Sequence, residues 1–314
     1  MTQFYNAKDV AVALAWRPLI DAIDGLFRVG CTMPIRHHHG FHIPGEEDGT
    51  LLLMPAWSEG NYLGVKMVSV VPGNSGRGLP AISGTYILSS AKTGELLAIL
   101  DGAELTARRT AAASALAGRY LARQNATHLL VVGTGTLSLN LIEAHSAVHD
   151  FGQISIWGRR FEQAEKIASE AQNRGFNAKA VSDLEATARN ADIISCCTLS
   201  DKPLILGRWL KPGAHLDLVG AFKPTMRESD DAAVLVASVF ADTREGVLSE
   251  GGDIVQPMNA GLIDFEHIRA DLYDLSRGKH PGRMSEEETT LFKSVGAALE
   301  DLAAAIVVHE TKGG

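Results

Sequence analysis

Cysteine is scarce in this chain, and the positions of the few that occur exclude two kinds of protein. Only three cysteines are present, and Cys196 and Cys197 are adjacent inside an apolar run. That arrangement provides neither a disulfide framework nor a CxxC metal site. The sequence therefore favours an intracellular protein in the reduced state.

Long apolar runs and an excess of positive charge are also missing. No apolar segment reaches the roughly 18 residues of a membrane-spanning helix, and the start, MTQFYNAKDV, lacks the basic region and apolar core of a secretory signal. A net charge of -8, without a long Lys/Arg run, argues against a nucleic-acid partner. We therefore expect a cytoplasmic protein that binds neither membranes nor nucleic acids.

The second half of the chain has an alternating pattern. From residue 129 onwards, strand-like and helix-like segments follow one another: LLVV, LNLIEAHSAV, QISIW, FEQAEKIASEAQNRG, NAKAV, ADIISCCT and GAHLDLVG. Alternation of this kind predicts right-handed crossovers and a parallel, doubly wound sheet. The predicted fold class is α/β, with a Rossmann-type domain over residues 119–284.

The flanking residues predict a second, discontinuous α+β domain over 1–118 and 285–314. Its first part has a helical start, the strands LLLMPAW and YLGVKMVSVV, a hairpin around AKTG and the helix LTARRTAAASALAGRYLAR. In its second part, Ser285 and Glu288 have capping-box spacing, and an apolar stripe continues to Ile306. We therefore predict one helix from Ser285 onwards that returns to the first domain.

A glycine loop lies at the start of the alternating region. Gly133 and Gly135, in VVGTGTLSLN, follow an apolar strand and precede a helix, and Ser138 stands at the third glycine position of the usual pattern. Such a loop brings backbone N–H groups close to a pyrophosphate, although a GxG sequence also occurs in ordinary strand–helix turns. The surrounding alternation favours dinucleotide binding over the plain turn.

Two arginines stand where NAD-binding proteins have an acidic residue, about 20 residues past the loop. The sequence there reads Gly158, Arg159, Arg160. Arginine forms charge-assisted hydrogen bonds with the 2′-phosphate of NADP, which a carboxylate would repel. A solvated helix start is the alternative, but a cation is unfavourable at that end of a helix. The sequence therefore predicts NADPH as the cofactor, with NADH as second choice, and a reductive reaction.

Three cationic residues precede the Rossmann segment: Arg36 in CTMPIRHHHG, Lys66 inside an apolar strand and Arg109 in an alanine-rich helix. Burial of Lys66 or Arg109 without an anionic partner would be costly. Each residue taken alone is explained by pairing with an internal carboxylate. Together they predict a clamp for the carboxylate of a substrate.

Several ordered segments resemble the ornithine cyclodeaminase and mu-crystallin family: MPIR, LLLMPAW, GVKMVSVVPGN, LTARRTAAASALA, VVGTGT, WGRR, EGGDIVQP and LFKSVGAALEDLAAA. The resemblance covers nearly the whole chain. It implies a homodimer in which the discontinuous domain binds substrate and forms the dimer contact. It also implies hydride transfer between a nicotinamide and the α-carbon of an amino or imino acid.

The resemblance also implies roles for particular residues. Arg36, Lys66 and Arg109 are expected to hold the substrate carboxylate. The expected cofactor-binding residues are Thr110, Gly133, Thr134, Gly135, Thr136, Gly158, Arg159, Arg160, Thr198 and Val219.

Two positions depart from the family pattern. Ala81 replaces the usual Thr or Ser after the GLP turn, which weakens the case for a hydroxyl contact there. Phe222 stands where ornithine cyclodeaminases have an aspartate that resembles an acid–base catalyst, so the catalytic residue of this chain is unknown. Some other group, such as a histidine near Arg36, is the alternative source of a proton.

These features predict an NADPH-dependent ketimine reductase that acts on 1-pyrroline-2-carboxylate or 1-piperideine-2-carboxylate. The alternatives are an ornithine cyclodeaminase, an alanine dehydrogenase-like enzyme and a mu-crystallin-like protein that binds NADPH and a small ligand without turnover. His37–His39 and His42 invite a metal interpretation, but consecutive rings on a loop diverge and no carboxylate or cysteine is spaced to join them. We therefore expect no metal.

Overall fold

The computed structural model describes residues 2–313. Their helices are α1 (Ala7–Ala13), α2 (Trp16–Val29), α3 (Gly102–Leu121), α4 (Leu137–Ser146), α5 (Phe161–Asn173), α6 (Leu184–Ala188), α7 (Asp231–Val236), α8 (Arg244–Glu250), α9 (Gly252–Asn259), α10 (Leu272–Ser276) and α11 (Ala298–Gly313). Their strands are β1 (Gln3–Tyr5), β2 (His37–Phe41), β3 (Gly49–Trp57), β4 (Tyr62–Val70), β5 (Ile82–Ser90), β6 (Leu96–Asp101), β7 (His128–Val132), β8 (Gln153–Trp157), β9 (Ala178–Ala180), β10 (Ile193–Cys196), β11 (His215–Leu218), β12 (Ser238–Ala241), β13 (Ile268–Asp271) and β14 (Thr290–Lys293).

The chain divides into two compact units. Unit 1 runs to Arg109 and resumes at Ala298, and unit 2 runs from Thr110 to Ala297. The first boundary therefore lies inside helix α3, and both boundaries differ from the predicted 118/119 and 284/285. The second boundary is later than predicted because residues before Ala298 contribute a strand to the sheet of unit 2.

Unit 1 contains one six-stranded sheet in the order β1-β6-β5-β4-β3-β2. Strands β2 to β6 pair antiparallel, which includes the predicted hairpin of β5 and β6, and β1 joins β6 in parallel. Helix α11 packs against β3, β4 and β5 and against α2. The buried side chains of that layer include Phe27, Tyr86, Leu88, Leu299 and Leu302.

Unit 2 contains an eight-stranded parallel sheet in the order β13-β12-β14-β11-β10-β7-β8-β9, which confirms the predicted α/β fold class. From β7 the chain moves outwards through β8 and β9, and it then returns to place β10 on the other side of β7. The order of strands therefore reverses between β7 and β10. In sheets of this kind the crevice at the carboxyl ends of those strands is where ligands bind.

The prediction of one helix from Ser285 was wrong. Ser285 Oγ accepts a hydrogen bond from the Glu288 N–H at 3.2 Å, as in a capping box, but the bond closes a turn. The next apolar residues form the buried strand β14 between β11 and β12, and the helix begins only at Ala298. A short apolar run fits a strand or a helix equally well, and here the pairing with β11 and β12 decides in favour of a strand.

The histidine run was also predicted wrongly as a loop. His37–Phe41 form the exposed edge strand β2, in which His38 is paired with Leu52 of β3. Successive side chains of a strand point to opposite faces, so neighbouring histidines diverge here too. Residues 2–313 contain no helix that is both long and apolar enough to cross a bilayer.

Candidate active site

A cavity of about 870 Å³ opens in unit 2, lined by residues 133–135, 157–160 and 197–201 together with Leu204. The first and last of these loops follow β7 and β10, the two strands between which the order reverses. The sequence-predicted residues on the lining are Gly133, Thr134, Gly135, Gly158, Arg159, Arg160 and Thr198. Val219 and Thr110 are buried, and Thr136 is exposed; none of these three lies on the lining.

The glycines of the cavity are required for different reasons. Gly133 has a φ of 136°, and a Cβ there would lie 2.7 Å from Cys197 Sγ. A Cβ on Gly158 would lie 2.5 Å from Thr134 Cγ2. A Cβ on Gly135 would meet no protein atom within 4 Å, so its absence leaves room in the cavity itself. That open space is what the approach of a phosphate to the backbone needs.

Helix α4 begins beside the glycine loop. Thr136 is its N-cap and makes no side-chain cap hydrogen bond, so the first-turn N–H groups remain donors for an anion. Ser138, at the third glycine position, donates from Oγ to the carbonyl of Gly133 at 2.9 Å. The serine therefore fastens the loop from within.

Arg159 and Arg160 line the cavity at the start of α5 and are exposed. Within residues 2–313, neither guanidinium takes part in an ion pair or a side-chain hydrogen bond. Two cations without protein partners at the edge of a cavity are available to a phosphate group. A carboxylate, Asp201, also reaches the lining.

The predicted clamp residues lie in unit 1 and already have carboxylate partners. Lys66 Nζ lies 2.7 Å from Asp301 Oδ2 and donates to Oδ1 at 2.9 Å. Arg109 donates from Nε to Asp301 Oδ1 at 2.9 Å and from Nη1 to Glu300 Oε2 at 2.5 Å. All four side chains are buried. The alternative of internal pairing is therefore realised for both cations, and the sequence did not identify Glu300 or Asp301 as their partners.

We call Arg36, Lys66, Arg109, Glu300 and Asp301 the charged cluster. Burial lowers the pKa of Lys66 to about 8, and the positive charge of Arg109 and, to a smaller extent, Arg36 acts in the same direction, whereas Asp301 opposes the shift. Arg36 is half-buried just before β2. The two carboxylates belong to the first turn of α11, where the helix dipole stabilises negative charge.

Tyr86 lies beside the charged cluster. It is paired with Lys66 across β4 and β5, and its side chain is fully buried. Burial and, to a lesser degree, the charge of Asp301 raise the pKa of its hydroxyl well above the ordinary value, so Tyr86 stays neutral. Gly64 makes room for this hydroxyl, because a Cβ there would lie 2.0 Å from it.

Phe222 is half-buried in the loop after β11, with the ammonium group of Lys223 5.9 Å from the centre of its ring. It offers no proton. Ala81 is half-buried, and its carbonyl accepts a hydrogen bond from Val71. His42 pairs with Asp48 at 2.9 Å on the surface, and no group of three or more His, Cys, Asp or Glu side chains among the described residues could hold a metal ion.

A doubly wound parallel sheet with a glycine-loop cavity at its reversal point places unit 2 among the Rossmann-type nucleotide-binding domains. The chain belongs to the ornithine cyclodeaminase/mu-crystallin family, whose family model matches residues 2–313.

Three relatives are similar over almost their entire length. The chain is 38% identical to the Delta(1)-pyrroline-2-carboxylate reductase of Paracoccus denitrificans, with 99% of this chain and 98% of the relative covered. The Delta(1)-pyrroline-2-carboxylate reductase of Thermococcus litoralis, solved with NADH and L-proline, has a TM-score of 0.91 at 31% identity and covers 98% of this chain and 97% of that one. An archaeal alanine dehydrogenase dimer with bound NAD has a TM-score of 0.90 at 31% identity, with 99% and 95% covered.

Proposed function

We propose that the protein is an NADPH-dependent reductase of a cyclic imino acid, converting 1-pyrroline-2-carboxylate to L-proline or 1-piperideine-2-carboxylate to pipecolate. The observation that carries the proposal is the cavity at the strand-order reversal, with its open glycine position and two unpaired arginines. The names of the relatives with 38% and 31% identity support an imine substrate.

The residues of the cavity fit a dinucleotide. Gly133, Gly135 and the start of α4 would receive the pyrophosphate, and Arg159 and Arg160 would receive the 2′-phosphate. Thr134, Thr136, Gly158 and Thr198 complete the proposed contacts, together with Thr110 and Val219. When bound, the cofactor supplies the hydride. Since the solved relatives hold NADH or NAD, the arginines of this chain are the basis for preferring NADPH.

The charged cluster would bind the imino acid. Arg36, Lys66 and Arg109 would hold the substrate carboxylate, and the bonds from Lys66 and Arg109 to α11 keep those two cations in fixed orientations. A protonated imino acid carries charges of both signs. A cluster that contains both cations and carboxylates suits such a ligand better than a purely cationic site would.

Phe222 favours reduction of a preformed imine over cyclodeamination. Conversion of ornithine to proline requires a base to deprotonate an amine and an acid to deliver a proton to the departing ammonia. The aromatic ring of Phe222 can do neither. A protonated imine is already electrophilic, so the protein has only to bind it and orient it.

The purified protein is expected to oxidise NADPH when 1-pyrroline-2-carboxylate is added and to produce L-proline. With L-ornithine and NAD, it is expected to release negligible ammonia, because Phe222 provides no proton transfer. NADPH absorbance and an ammonia assay measure the two reactions in parallel. Ammonia release at a rate comparable to imine reduction would instead indicate a cyclodeaminase, and NADPH binding without oxidation would indicate a mu-crystallin-like binding protein.

We further propose that the protein is a cytoplasmic homodimer. The face of the unit 1 sheet opposite α11 includes Leu53, Val65, Met67 and Ile87, none of which is fully buried in the single chain. An apolar sheet face of this kind suits a self-complementary contact. Light scattering should give twice the mass of the chain, and the mass of a single chain would contradict the dimer. The three cysteines are free thiols, which agrees with a reducing compartment.

A further inference from the structure

A buried carboxylate outside the cavity joins two loops at the carboxyl edge of the unit 2 sheet. Glu228 Oε1 accepts hydrogen bonds from the backbone N–H of Thr198 at 2.6 Å and from its hydroxyl at 2.8 Å. Glu228 Oε2 accepts from the N–H of Gly220 at 2.8 Å. Thr198 belongs to the loop after β10 and lines the cavity, and Gly220 belongs to the loop after β11.

The approach of the two loops leaves no space for another arrangement. A Cβ on Gly220 would lie 1.9 Å from the carbonyl oxygen of Thr198 and 2.7 Å from Glu228 Oε1. The loop after β11 therefore packs directly on the segment that forms one wall of the cavity. Glu228 supplies the hydrogen bonds that hold this contact together.

Glu228 is itself held in place. Its carbonyl accepts from the N–H groups of Leu204 and Ile205, and its own N–H donates to Asp253 Oδ1 at 2.8 Å. Asp253 Oδ2 lies 3.3 Å from Lys293 Nζ, which donates to the carbonyl of Leu218 at the end of β11 at 3.2 Å. Glu228, Asp253 and Lys293 are fully buried. A chain of charged groups thus connects the sheet to the wall of the cavity.

The hydrogen-bond geometry requires an ionised Glu228, because three donors point at its two oxygens. Burial raises its pKa to about 7, with a further rise from Asp253 and an opposing effect from Lys293 and the Thr198 hydrogen bonds. The thiols of Cys196 and Cys197 also face it, and burial raises the pKa of both thiols, so they stay neutral. Glu228 is therefore ionised above about pH 7 and protonated below it.

We propose that Glu228 is a positioning residue for the cofactor: its carboxylate fixes Thr198 in the cavity wall and thereby sets the affinity for the dinucleotide. Glu228 acts through Thr198 and touches neither cofactor nor substrate. This inference rests on the proposed binding of a nicotinamide dinucleotide in the cavity.

The Glu228→Gln variant tests the proposal. The amide has the shape of the carboxylate but carries an NH2 group, which cannot accept from Thr198 or Gly220, so at least one hydrogen bond to a charged group is lost. We expect the Kd for NADPH, measured by fluorescence without substrate, to rise roughly tenfold, with the same change in cofactor KM. At saturating NADPH, kcat and the KM for the imine should stay within about twofold of wild type.

The pH dependence separates positioning from general destabilisation. For the wild type, the Kd of NADPH and of NADH should rise together as pH falls through about 7, since both depend on ionised Glu228. In Glu228→Gln the Kd should be raised and independent of pH across that range. NADH is included because it lacks the titratable 2′-phosphate. Glu266→Gln, at an exposed glutamate of the same unit, is the matched control and should leave Kd and its pH dependence unchanged.

Each other outcome has a defined meaning. A wild type that binds neither cofactor refutes the proposed function, whereas equal binding by wild type and Glu228→Gln overturns the role of Glu228 alone. If the variant does not fold, Glu228→Asp keeps the charge on a shorter side chain. A folded Glu228→Asp with raised Kd supports the proposal, and one with wild-type Kd contradicts it.

Discussion

Replacement of Lys66 by methionine is expected to reduce kcat/KM for the imine by about 10- to 150-fold and to lower the free energy of unfolding by about 3–5 kcal/mol. The first effect follows from the loss of a charged contact to the substrate carboxylate. The second follows because Asp301, fully buried, loses the ammonium group 2.7 Å away. Steady-state kinetics and denaturant unfolding measure the two effects separately, and the Kd for NADPH should not change.

A double variant distinguishes binding of substrate from balance of charge. Lys66→Met combined with Asp301→Asn removes one charge of each sign and should recover much of the lost stability. If Lys66 binds the substrate carboxylate, the double variant remains defective in kcat/KM. Full recovery of activity along with stability would show that Lys66 only neutralises Asp301. Lys92→Met, at an exposed turn of unit 1, is the matched control and should behave as wild type.

Replacement of Arg159 by aspartate together with Arg160 by serine is expected to remove the preference for NADPH. Both guanidiniums line the cavity without protein partners, so their loss disturbs no internal ion pair. Each charged contact to a phosphate contributes about 1.5–3 kcal/mol, so the ratio of kcat/KM for NADPH over NADH should fall at least tenfold, roughly, per contact. The activity with NADH should be retained or increased, because the new carboxylate can accept hydrogen bonds from the ribose hydroxyls.

The control for this change is Arg269→Ser, an exposed arginine on β13 at the edge of the same sheet. It alters net charge without touching the cavity and should leave the cofactor ratio unchanged. Equal use of both cofactors by the wild type, or an unaltered ratio in the double variant, would refute the assignment of the 2′-phosphate to these arginines.

The local parts of the fold could be predicted from the sequence. The alternation after residue 129 and the hairpin of β5 and β6 are short-range patterns, and both are present in the structure. Strand β14 could not be predicted, because its identity as a strand depends on pairing with β11, which lies more than 70 residues earlier in the chain. Ser285 and Glu288 gave a misleading helix signal because the same local hydrogen bond closes a turn.

The site divides along the same line. Arg159 and Arg160 could be identified because their distance from the glycine loop is fixed by one strand–helix–strand unit. Glu300 and Asp301 could not be paired with Lys66 and Arg109, because the partners are 191 to 235 residues apart and meet only through the tertiary fold. Glu228 gave no signal at all, since its importance lies in the two loops that it joins.

Transfer of deuterium from the nicotinamide to the substrate tests the central claim most directly. The protein would be incubated with NADPH that carries deuterium at the reactive position of the nicotinamide and with 1-pyrroline-2-carboxylate, and the product would be analysed by mass spectrometry and NMR. We predict L-proline with a single deuterium on its α-carbon. Proline without deuterium, or no proline while the deuterated cofactor is bound, would contradict the assignment of the protein as an imine reductase.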